Sequence, residues 1–227
     1  MAKVNKHYEK VSDELIEAYR KIDESASINE CLPVSGALQH DFRPVWPGVR
    51  SCGRAFTVRA RAGDNLILHK AITMLRPNDF LIVTCDGFQE SGGMWGGIMS
   101  LSAKTQGCVG MVIDGCVRDT MMIRDVDFHV WSRGISIKRS TKMTDGEINV
   151  PIIIGNVAVN PGDLVFADND AVVVIPRGIA EETLAKAQAR EEHEEHMKEM
   201  VQKDPCYSFN VNFKAKYEAL HLTEEED

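Results

Sequence analysis

The segment that most limits the possible folds runs from Ser91 to Arg124 and reads SGGMWGGIMSLSAKTQGCVGMVIDGCVRDTMMIR. A glycine-rich loop at residues 92–97 precedes a run with helical spacing at residues 98–106. Gly107 follows, at the position where a left-handed residue commonly ends a helix. The apolar run at residues 108–113 is typical of a buried strand. A loop, a helix and a buried strand in this order predict part of a layered α/β domain.

The same segment carries groups that could bind an anion and a metal ion. A glycine loop that opens a helix presents unpaired backbone N–H groups, which suit an anion. Arg118 and Asp119, just after the strand, can supply a positive fork and a hard oxygen ligand. These features predict a site for a small carboxylate or phosphate near a divalent metal.

Two plainer interpretations remain open at this point. The glycines could form tight turns only, and Asp119 could cap a helix that begins at Thr120. Arg118 could also form a structural ion pair with Asp114 or Asp125. A nucleotide-binding loop is excluded, because neither Gly-Lys-Ser/Thr nor the G-x-G-x-x-G spacing occurs here.

Composition narrows the class of protein. The formal net charge of −8 argues against nucleic acid as a partner, because phosphate backbones require basic surfaces. No apolar run reaches the length of a membrane helix, so we expect no membrane partner. The six cysteines are scattered without a C-x-x-C pair, which favours reduced thiols and a cytoplasmic protein.

Hydrophobic periodicity predicts short elements along the rest of the chain. Helices are expected at residues 8–23, 65–75 and 178–203, and a capping box formed by Ser27 and Glu30 predicts another short helix there. Strands are expected at residues 54–61, 128–131, 150–154, 164–167 and 171–175. Residues 75–83 and 159–167 share a proline-led turn, an aspartate and an apolar strand, which indicates repeated turn chemistry.

Several of these segments resemble the RraA-like family, which includes metal-dependent 4-hydroxy-4-methyl-2-oxoglutarate/4-carboxy-4-hydroxy-2-oxoadipate aldolases and regulators of ribonuclease E activity. The resemblance spans about residues 25–195. It is carried by Trp95–Met99, Ala103-Lys104, Gly107, Val112–Asp119, Ser25–Leu32, Gly53–Val58, and Asn160–Val165 with Asp168.

The resemblance implies a single α/β domain with the swivelling β/β/α sandwich fold, over residues 1–177, including N-terminal helices. Residues 178–227 would form a C-terminal helix and tail, packed on the same or a neighbouring subunit. It further implies a trimer, or a hexamer built from two trimers, with sites between subunits.

The resemblance also implies roles for particular residues. Asp119 would bind Mg²⁺ or Mn²⁺ directly, with waters completing the shell, and Arg118 would hold a 2-oxo acid. The substrate carboxylate would lie on the backbone amides of Gly96, Gly97, Ile98 and Met99. In some members a neighbouring subunit's C-terminal helix supplies a further glutamate, for which Glu191 and Glu194 are the candidates.

The sequence departs from the aldolase pattern at two positions. Those members carry an acid twenty-one residues before the arginine, where this chain has Gly97. They carry another acid a few residues after the aspartate, where this chain has Met121, Met122 and Ile123. Both losses weaken the prediction of the aldolase substrate, while Arg118 and Asp119 are intact.

The predicted function is a divalent-metal-dependent lyase acting on a small 2-oxo or hydroxy acid. Retro-aldol cleavage or decarboxylation would leave a pyruvate enolate, whose developing charge a divalent cation stabilises. The alternatives are a non-catalytic regulatory protein, a related dehydratase with contacts altered at Gly97, and, more remotely, a Schiff-base aldolase using Lys104.

Overall fold

A computed structural model describes residues 3–88 and 92–222. Ser91, which opens the central segment, and residues 223–227 of the predicted tail lie outside this range. The helices are α1 (Asp13–Tyr19), α2 (Ser25–Asn29), α3 (Leu66–Ile72), α4 (Gly97–Thr105), α5 (Thr120–Asp125), α6 (Ala180–Lys203) and α7 (Lys214–Glu218). The strands are β1 (Arg43–Pro44), β2 (Ser51–Arg59), β3 (Asp79–Thr84), β4 (Gly110–Val117), β5 (Val130–Ile135), β6 (Glu147–Ile148), β7 (Ile152–Ile154), β8 (Val157–Val159), β9 (Leu164–Ala167) and β10 (Val172–Ile175).

The main sheet has the strand order β1-β5-β4-β3-β2-β9-β10, and β6 also pairs with β2. Strands β2, β3, β4 and β5 are mutually parallel, whereas β1, β9 and β10 are antiparallel to their neighbours. The hairpin β7-β8 forms a separate two-stranded sheet. Because β2 to β5 are parallel, the residues that follow them emerge at one edge of the sheet, where the loops after β3 and β4 meet.

Alternating side chains of the central strands build two cores on opposite faces of the sheet. On one face, Leu81 and Ile113 pack with the buried sides of α3, α4 and α5. On the other face, Ile82 and Val112 pack with the β7-β8 hairpin and Trp131. A third cluster joins α1, α2 and the beginning of α6 to β9 and β10. This arrangement of hairpin, sheet and helices confirms the predicted α/β fold class.

The two similar segments share one turn geometry. Asn78 and Gly162 have positive φ angles of 68° and 85°, each directly after a proline. In each turn the aspartate side chain accepts a hydrogen bond from the backbone N–H three residues earlier: Asp79 from Arg76 at 2.8 Å and Asp163 from Asn160 at 2.9 Å. This geometry is that of a type II turn that starts a buried strand. The prediction of repeated turn chemistry is confirmed.

The N-terminal helices differ from the prediction. Residues 8–12 are not helical, and α1 begins only after Ser12, whose hydroxyl accepts from the Leu15 N–H. The capping box at Ser27 is wrong, because Ser27 lies inside α2 and is buried. Asp168 caps this helix from the end of β9 instead, since its carboxylate accepts from Ser25 N at 2.8 Å and Ser25 Oγ at 2.9 Å. Because Asp168 is more than 140 residues from Ser25 in the sequence, no local pattern predicts this helix cap.

Within the described part of the chain, no disulfide joins any of the six cysteines, in agreement with the reduced thiols that their scattered spacing favours. Burial raises the pKa of the thiols of Cys52, Cys85 and Cys108 to about 12, so these groups are protonated and unreactive near neutral pH. No helix in the described part of the chain is long and apolar enough to cross a membrane.

The Asp168 carboxylate also accepts from the backbone N–H groups of Asp170 and Ala171 at 2.9 and 3.0 Å, so it ties α2 to the β9-β10 turn. We expect Asp168→Ala to lower the free energy of unfolding by about 3 kcal/mol, because it leaves buried donors without acceptors. Asp170→Ala is the matched control, since its exposed side chain should be replaceable within about 0.5 kcal/mol. Urea unfolding of the two variants measures the difference, and equal losses would contradict this role of Asp168.

Candidate active site

The glycine loop lies along the end of β4 as a short additional strand. The Met94 N–H donates to the Cys116 carbonyl at 2.9 Å, Trp95 pairs with Val117 in parallel, and the Arg118 N–H donates to the Trp95 carbonyl at 2.9 Å. The predicted end of this strand at Ile113 is therefore wrong. β4 continues to Val117 through a register shift against β5 between Ile113 and Cys116. No sequence pattern predicts this bulge.

Close backbone approach explains the glycines of this loop. A Cβ atom on Gly93 would lie 2.3 Å from the Ser136 carbonyl oxygen, and one on Gly92 would lie 2.8 Å from that of Arg139. A Cβ atom on Gly96 would lie 2.5 Å from Asp119 Oδ2. None of these glycines has a positive φ, so they are not simply turn residues. The loop packs against its surroundings at distances that only glycine permits.

Two buried polar side chains hold the loop in place, and sequence reasoning missed both. Asn65 Nδ2 donates to the Met94 carbonyl at 2.9 Å, and Ser140 Oγ donates to the Gly93 carbonyl at 3.0 Å. Asn65 precedes α3 and Ser140 lies in a polar loop, so neither sequence context distinguishes them from surface residues. Only the folded chain brings them to the glycine loop.

Asp119 lies at the amino end of α5 in a left-handed conformation, with φ 58° and ψ 40°. Its side chain makes no capping hydrogen bond to α5, so the simple capping interpretation is wrong. The carboxylate instead accepts from the Gly97 N–H at 3.3 Å, at the amino end of α4. The positive end of the α4 dipole favours a carboxylate there. Aspartate tolerates the left-handed conformation better than most residues, and Asp86 and Asp127 adopt it as well.

Arg118 lies beside Asp119 with its guanidinium half exposed. Arg118 Nε is 3.8 Å from Asp119 Oδ2. The other two acids considered as partners are engaged elsewhere, since Asp114 pairs with Arg133 at 3.0 Å and Asp125 with Arg124 at 3.6 Å. The structural-bridge interpretation of Arg118 is therefore wrong. The guanidinium is available to a ligand from solvent.

The amino end of α4 completes the candidate site. The N–H groups of Gly97, Ile98 and Met99 belong to the first helical turn and have no acceptor within the helix. The Gly97 N–H donates to Asp119, while the N–H groups of Ile98 and Met99 can donate to an anion. The Arg118 guanidinium, the Asp119 carboxylate and the backbone donors of α4 thus lie side by side at the amino end of this helix.

The two departures from the aldolase pattern are in direct contact. A Cβ atom on Gly97 would lie 2.3 Å from Met122 Sδ and 2.8 Å from Met122 Cβ. Met122 of α5 therefore occupies the space into which an acidic side chain at position 97 would extend. A side chain at position 97 and the Met122 side chain would therefore compete for one volume. The site keeps one carboxylate, Asp119, beside an apolar thioether.

Asp119 fits the predicted metal as a single carboxylate ligand of a hydrated ion. No group of three or more His, Cys, Asp or Glu side chains in the described residues could together hold a metal ion. Mg²⁺ often keeps several waters and takes one or two carboxylates, so a single half-exposed aspartate suits Mg²⁺ or Mn²⁺ and excludes an all-protein cage. The donor set thus fits a weakly held, hydrated cation.

Three other predicted residues are not brought to the site within one chain. Glu191 accepts from the Asp23 N–H at 2.7 Å, and Glu194 pairs with Arg190 at 2.9 Å, both on the surface of α6. Their contribution from a neighbouring subunit stays a prediction. Lys104 Nζ donates to the carbonyl oxygens of Val126 and Asp127 at the end of α5. This polar setting is not the apolar or cationic one that activates a nucleophilic lysine.

Comparison with known proteins gives the family. The sequence profile of the RraA-like family, described as Aldolase/RraA, matches residues 10–174. A protein of Halalkalibacterium halodurans, provisionally named as a 4-hydroxy-4-methyl-2-oxoglutarate aldolase, is 34% identical over 168 residues. That match covers 74% of this chain and 80% of the relative. The chain belongs to the RraA-like family, as the sequence motifs predicted.

Solved structures agree with this assignment. An uncharacterized protein from Pseudomonas syringae pv. tomato is similar with a TM-score of 0.77 and 26% identity, covering 87% of this chain and 96% of the other. The RNA-processing inhibitor RraA from Thermus thermophilis is similar with a TM-score of 0.62 and 28% identity, covering 68% of this chain and 93% of the other. The family thus contains proteins named for enzymatic and for regulatory roles.

The contact between Gly97 and Met122 generates a test of the site's packing. We expect Gly97→Ala to lower the free energy of unfolding by about 2 kcal/mol, because its methyl group overlaps the methionine. In a Met122→Ala background the same change should cost less than half as much, since most of the overlapping atoms are gone. Urea unfolding of the double-mutant cycle measures this coupling.

Gly178→Ala is the control for the intrinsic effect of replacing a glycine, because a Cβ atom there has no neighbour within 4 Å. It should change stability by no more than about 0.5 kcal/mol. If the losses of unfolding free energy from Gly97→Ala and Met122→Ala simply added in the double variant, the two side chains would not share one volume.

Proposed function

We propose that this protein is a lyase acting on a small 2-oxo acid, with Mg²⁺ or Mn²⁺ at Asp119. One observation carries the proposal: the Asp119 carboxylate and the Arg118 guanidinium lie together at the amino end of α4. The name of the Halalkalibacterium halodurans relative supports an oxo-acid substrate. The reaction would be retro-aldol cleavage or decarboxylation, either of which leaves an enolate.

The chain's own residues would bind and orient the substrate. The Ile98 and Met99 N–H groups would hold its carboxylate at the positive end of α4. The Arg118 guanidinium would hold a second oxygen and favour the negative charge that develops there. Asp119 is fixed by its left-handed backbone and by Gly97, so its second oxygen, Oδ1, can face a ligand.

Asp119 would hold the metal ion as the sole protein ligand. A divalent cation bound there would act as a Lewis acid toward the substrate's carbonyl oxygen. Since this chain has Gly97 and the stretch Met121 to Ile123 where the aldolase pattern carries acids, the substrate group nearest to Gly97 and Met122 would contact an apolar surface. We therefore propose that the substrate carries an uncharged group at that end, unlike a substrate with an extra carboxylate there.

Exposed apolar side chains beside the site support an assembly of several copies. Ile98, Leu101 and Met121 are 67%, 46% and 63% exposed, on the outer faces of α4 and α5. Covering them would remove apolar surface from water at the edge of the site. We propose a homotrimer, or a hexamer of two trimers, in which a neighbouring copy closes the site and brings Glu191 or Glu194 near it.

Arg118→Lys separates ligand binding from a structural role. Oxalate with Mg²⁺ should raise the melting temperature of the wild-type protein by mass action. The lysine variant should lose most of that shift, because a point charge cannot copy the bidentate fork. Differential scanning fluorimetry with and without oxalate measures both proteins.

The matched control is Arg124→Lys, an exposed arginine on α5 that pairs with its neighbour Asp125. It should keep the full oxalate shift. Equal shifts in the Arg118 variant and the wild type would show that Arg118 does not touch the ligand. An absence of any shift across 2-oxo acids would instead favour a regulatory protein without a substrate.

Asp119→Asn tests the metal. It keeps the shape of the side chain and removes its charge, so turnover should fall by at least about a hundredfold, which corresponds to ~2.8 kcal/mol. Assays with oxaloacetate and a panel of 4-hydroxy-2-oxo acids, each with Mg²⁺ or Mn²⁺, measure this loss. Excess EDTA should abolish wild-type activity reversibly. Full activity in the variant or in the chelator would rule the mechanism out.

A further inference from the structure

A second cavity lies at the other end of the sheet from Asp119. It has a volume of about 630 Å³ and lies between the N-terminal segment, the end of α3 and the beginning of β3. Asp79 begins β3, which runs parallel to β4, and β4 ends just before Arg118. Asp79 is level with Val109, nine residues before Arg118, so the two sites are roughly 30 Å apart at ~3.3 Å per strand residue. They cannot share one small ligand.

The floor of this cavity combines apolar and polar side chains. Phe56 and Asp79 are buried there, and Tyr8 and Met74 are half buried. Burial, followed by the charge of Asp79, raises the pKa of Tyr8 to about 12, so its hydroxyl is a hydrogen-bond donor at neutral pH. Arg54 Nε lies 3.6 Å from Asp79 Oδ1 and offsets that buried negative charge. The floor offers a ring, a thioether and a donor to a ligand.

The rim of the cavity is cationic, and two of its charges, those of Lys10 and Arg76, also act on the buried Asp79 carboxylate. Lys6, Lys10, Lys70 and Arg76 line it, and all four are exposed. Within residues 3–88 and 92–222, none of the four forms a salt bridge, and the three lysine ammonium groups make no hydrogen bond. Gathering four like charges is unfavourable unless a counter-ion is present. This occurs in a chain of net charge −8.

The cations that line another cavity, of about 550 Å³, differ because each has a polar partner within the protein. Arg20, Arg50 and Lys104 line it. Arg20 donates to Asn78 Oδ1 at 2.8 Å, Arg50 pairs with Asp23 at 3.5 Å, and Lys104 pairs with Asp127 at 3.0 Å. Each cation there links parts of the fold. Lys10 and Arg76 attract Asp79 without forming an ion pair, and Lys6 and Lys70 pair with no acid in the described residues, so the rim as a whole favours an external anion.

We propose that the cavity bounded by Lys6, Lys10, Lys70 and Arg76, here named the basic pocket, binds a small organic polyanion. Its ligand carries at least two oxyanion charges, as phosphate ester or polycarboxylate, and an apolar part. The charged groups lie among the rim cations, where each contact is charge-assisted. The apolar part lies against Phe56 and Met74, and Tyr8 donates to an oxygen of the ligand. This site is independent of the proposed lyase reaction.

Isothermal titration calorimetry in metal-free buffer tests the basic pocket. Inorganic pyrophosphate and citrate are the two polyanion probes, and acetate is the monovalent comparison. The wild-type protein should bind one or both polyanions saturably at one site per chain, and acetate should not saturate. Pyrophosphate alone indicates a phosphate ester, citrate alone a polycarboxylate, and both together recognition through charge. The double variant Lys10→Gln/Lys70→Gln should weaken binding at least about tenfold.

Two controls make the test specific. Lys203→Gln/Lys214→Gln removes the same charge from exposed positions outside the pocket and should keep the wild-type affinity. Arg118→Gln should also keep it, which separates the basic pocket from the candidate active site. Urea unfolding verifies that the lysine variants fold, as expected for side chains without hydrogen bonds.

Three outcomes would overturn the proposal. Equal weakening in the two lysine pairs would show a diffuse effect of net charge. Loss of binding in Arg118→Gln alone would assign the anion to the other end of the sheet. A failure of the wild-type protein to saturate with either polyanion up to about 10 mM would show that the pocket has no such ligand.

Discussion

The pairing of the glycine loop with the end of β4 is the contact on which the candidate site depends. Trp95 pairs with Val117, and this pairing places Gly96 and Gly97 against Asp119. The beginning of α4 is thereby fixed beside Arg118 and Asp119. Side chains at the loop's glycines would push the two segments apart by several tenths of an ångström or more. The site is thus a product of backbone packing, and its charged groups are added to a rigid frame.

Much of the fold could be predicted because its signals are local. The type II turns at Asn78 and Gly162, the helix α4 with Gly107 after it, and the strand β9 all follow from short patterns. Gly107 has a φ of 90°, as its place after the helix predicts. The cap of α2 and the bulge in β4 could not be predicted, because they depend on Asp168 and on the register with β5.

The candidate site, like the fold, could be predicted where its residues lie in a local sequence pattern. Arg118 and Asp119 were found from their place after a buried strand, and the structure brings them to α4 as expected. The supports Asn65 and Ser140 were missed, since they are distant in sequence and carry no motif. The stretch from Met121 to Ile123 was recognised as lacking an acid, but only the structure shows that Met122 fills the space beside Gly97. The two departures are therefore neighbours in space, although they are about twenty-five residues apart in the sequence.

The most direct measurement of the central claim is Mn²⁺ binding followed by electron paramagnetic resonance, with and without oxalate. If Asp119 holds the metal beside a carboxylate site at α4, wild-type protein should bind Mn²⁺ with modest affinity, and oxalate should tighten that binding. Asp119→Ala should lose Mn²⁺ binding, while Asp125→Ala, on the exposed end of α5, should keep it. Equal Mn²⁺ affinity in wild-type protein and Asp119→Ala, with no effect of oxalate, would contradict the account.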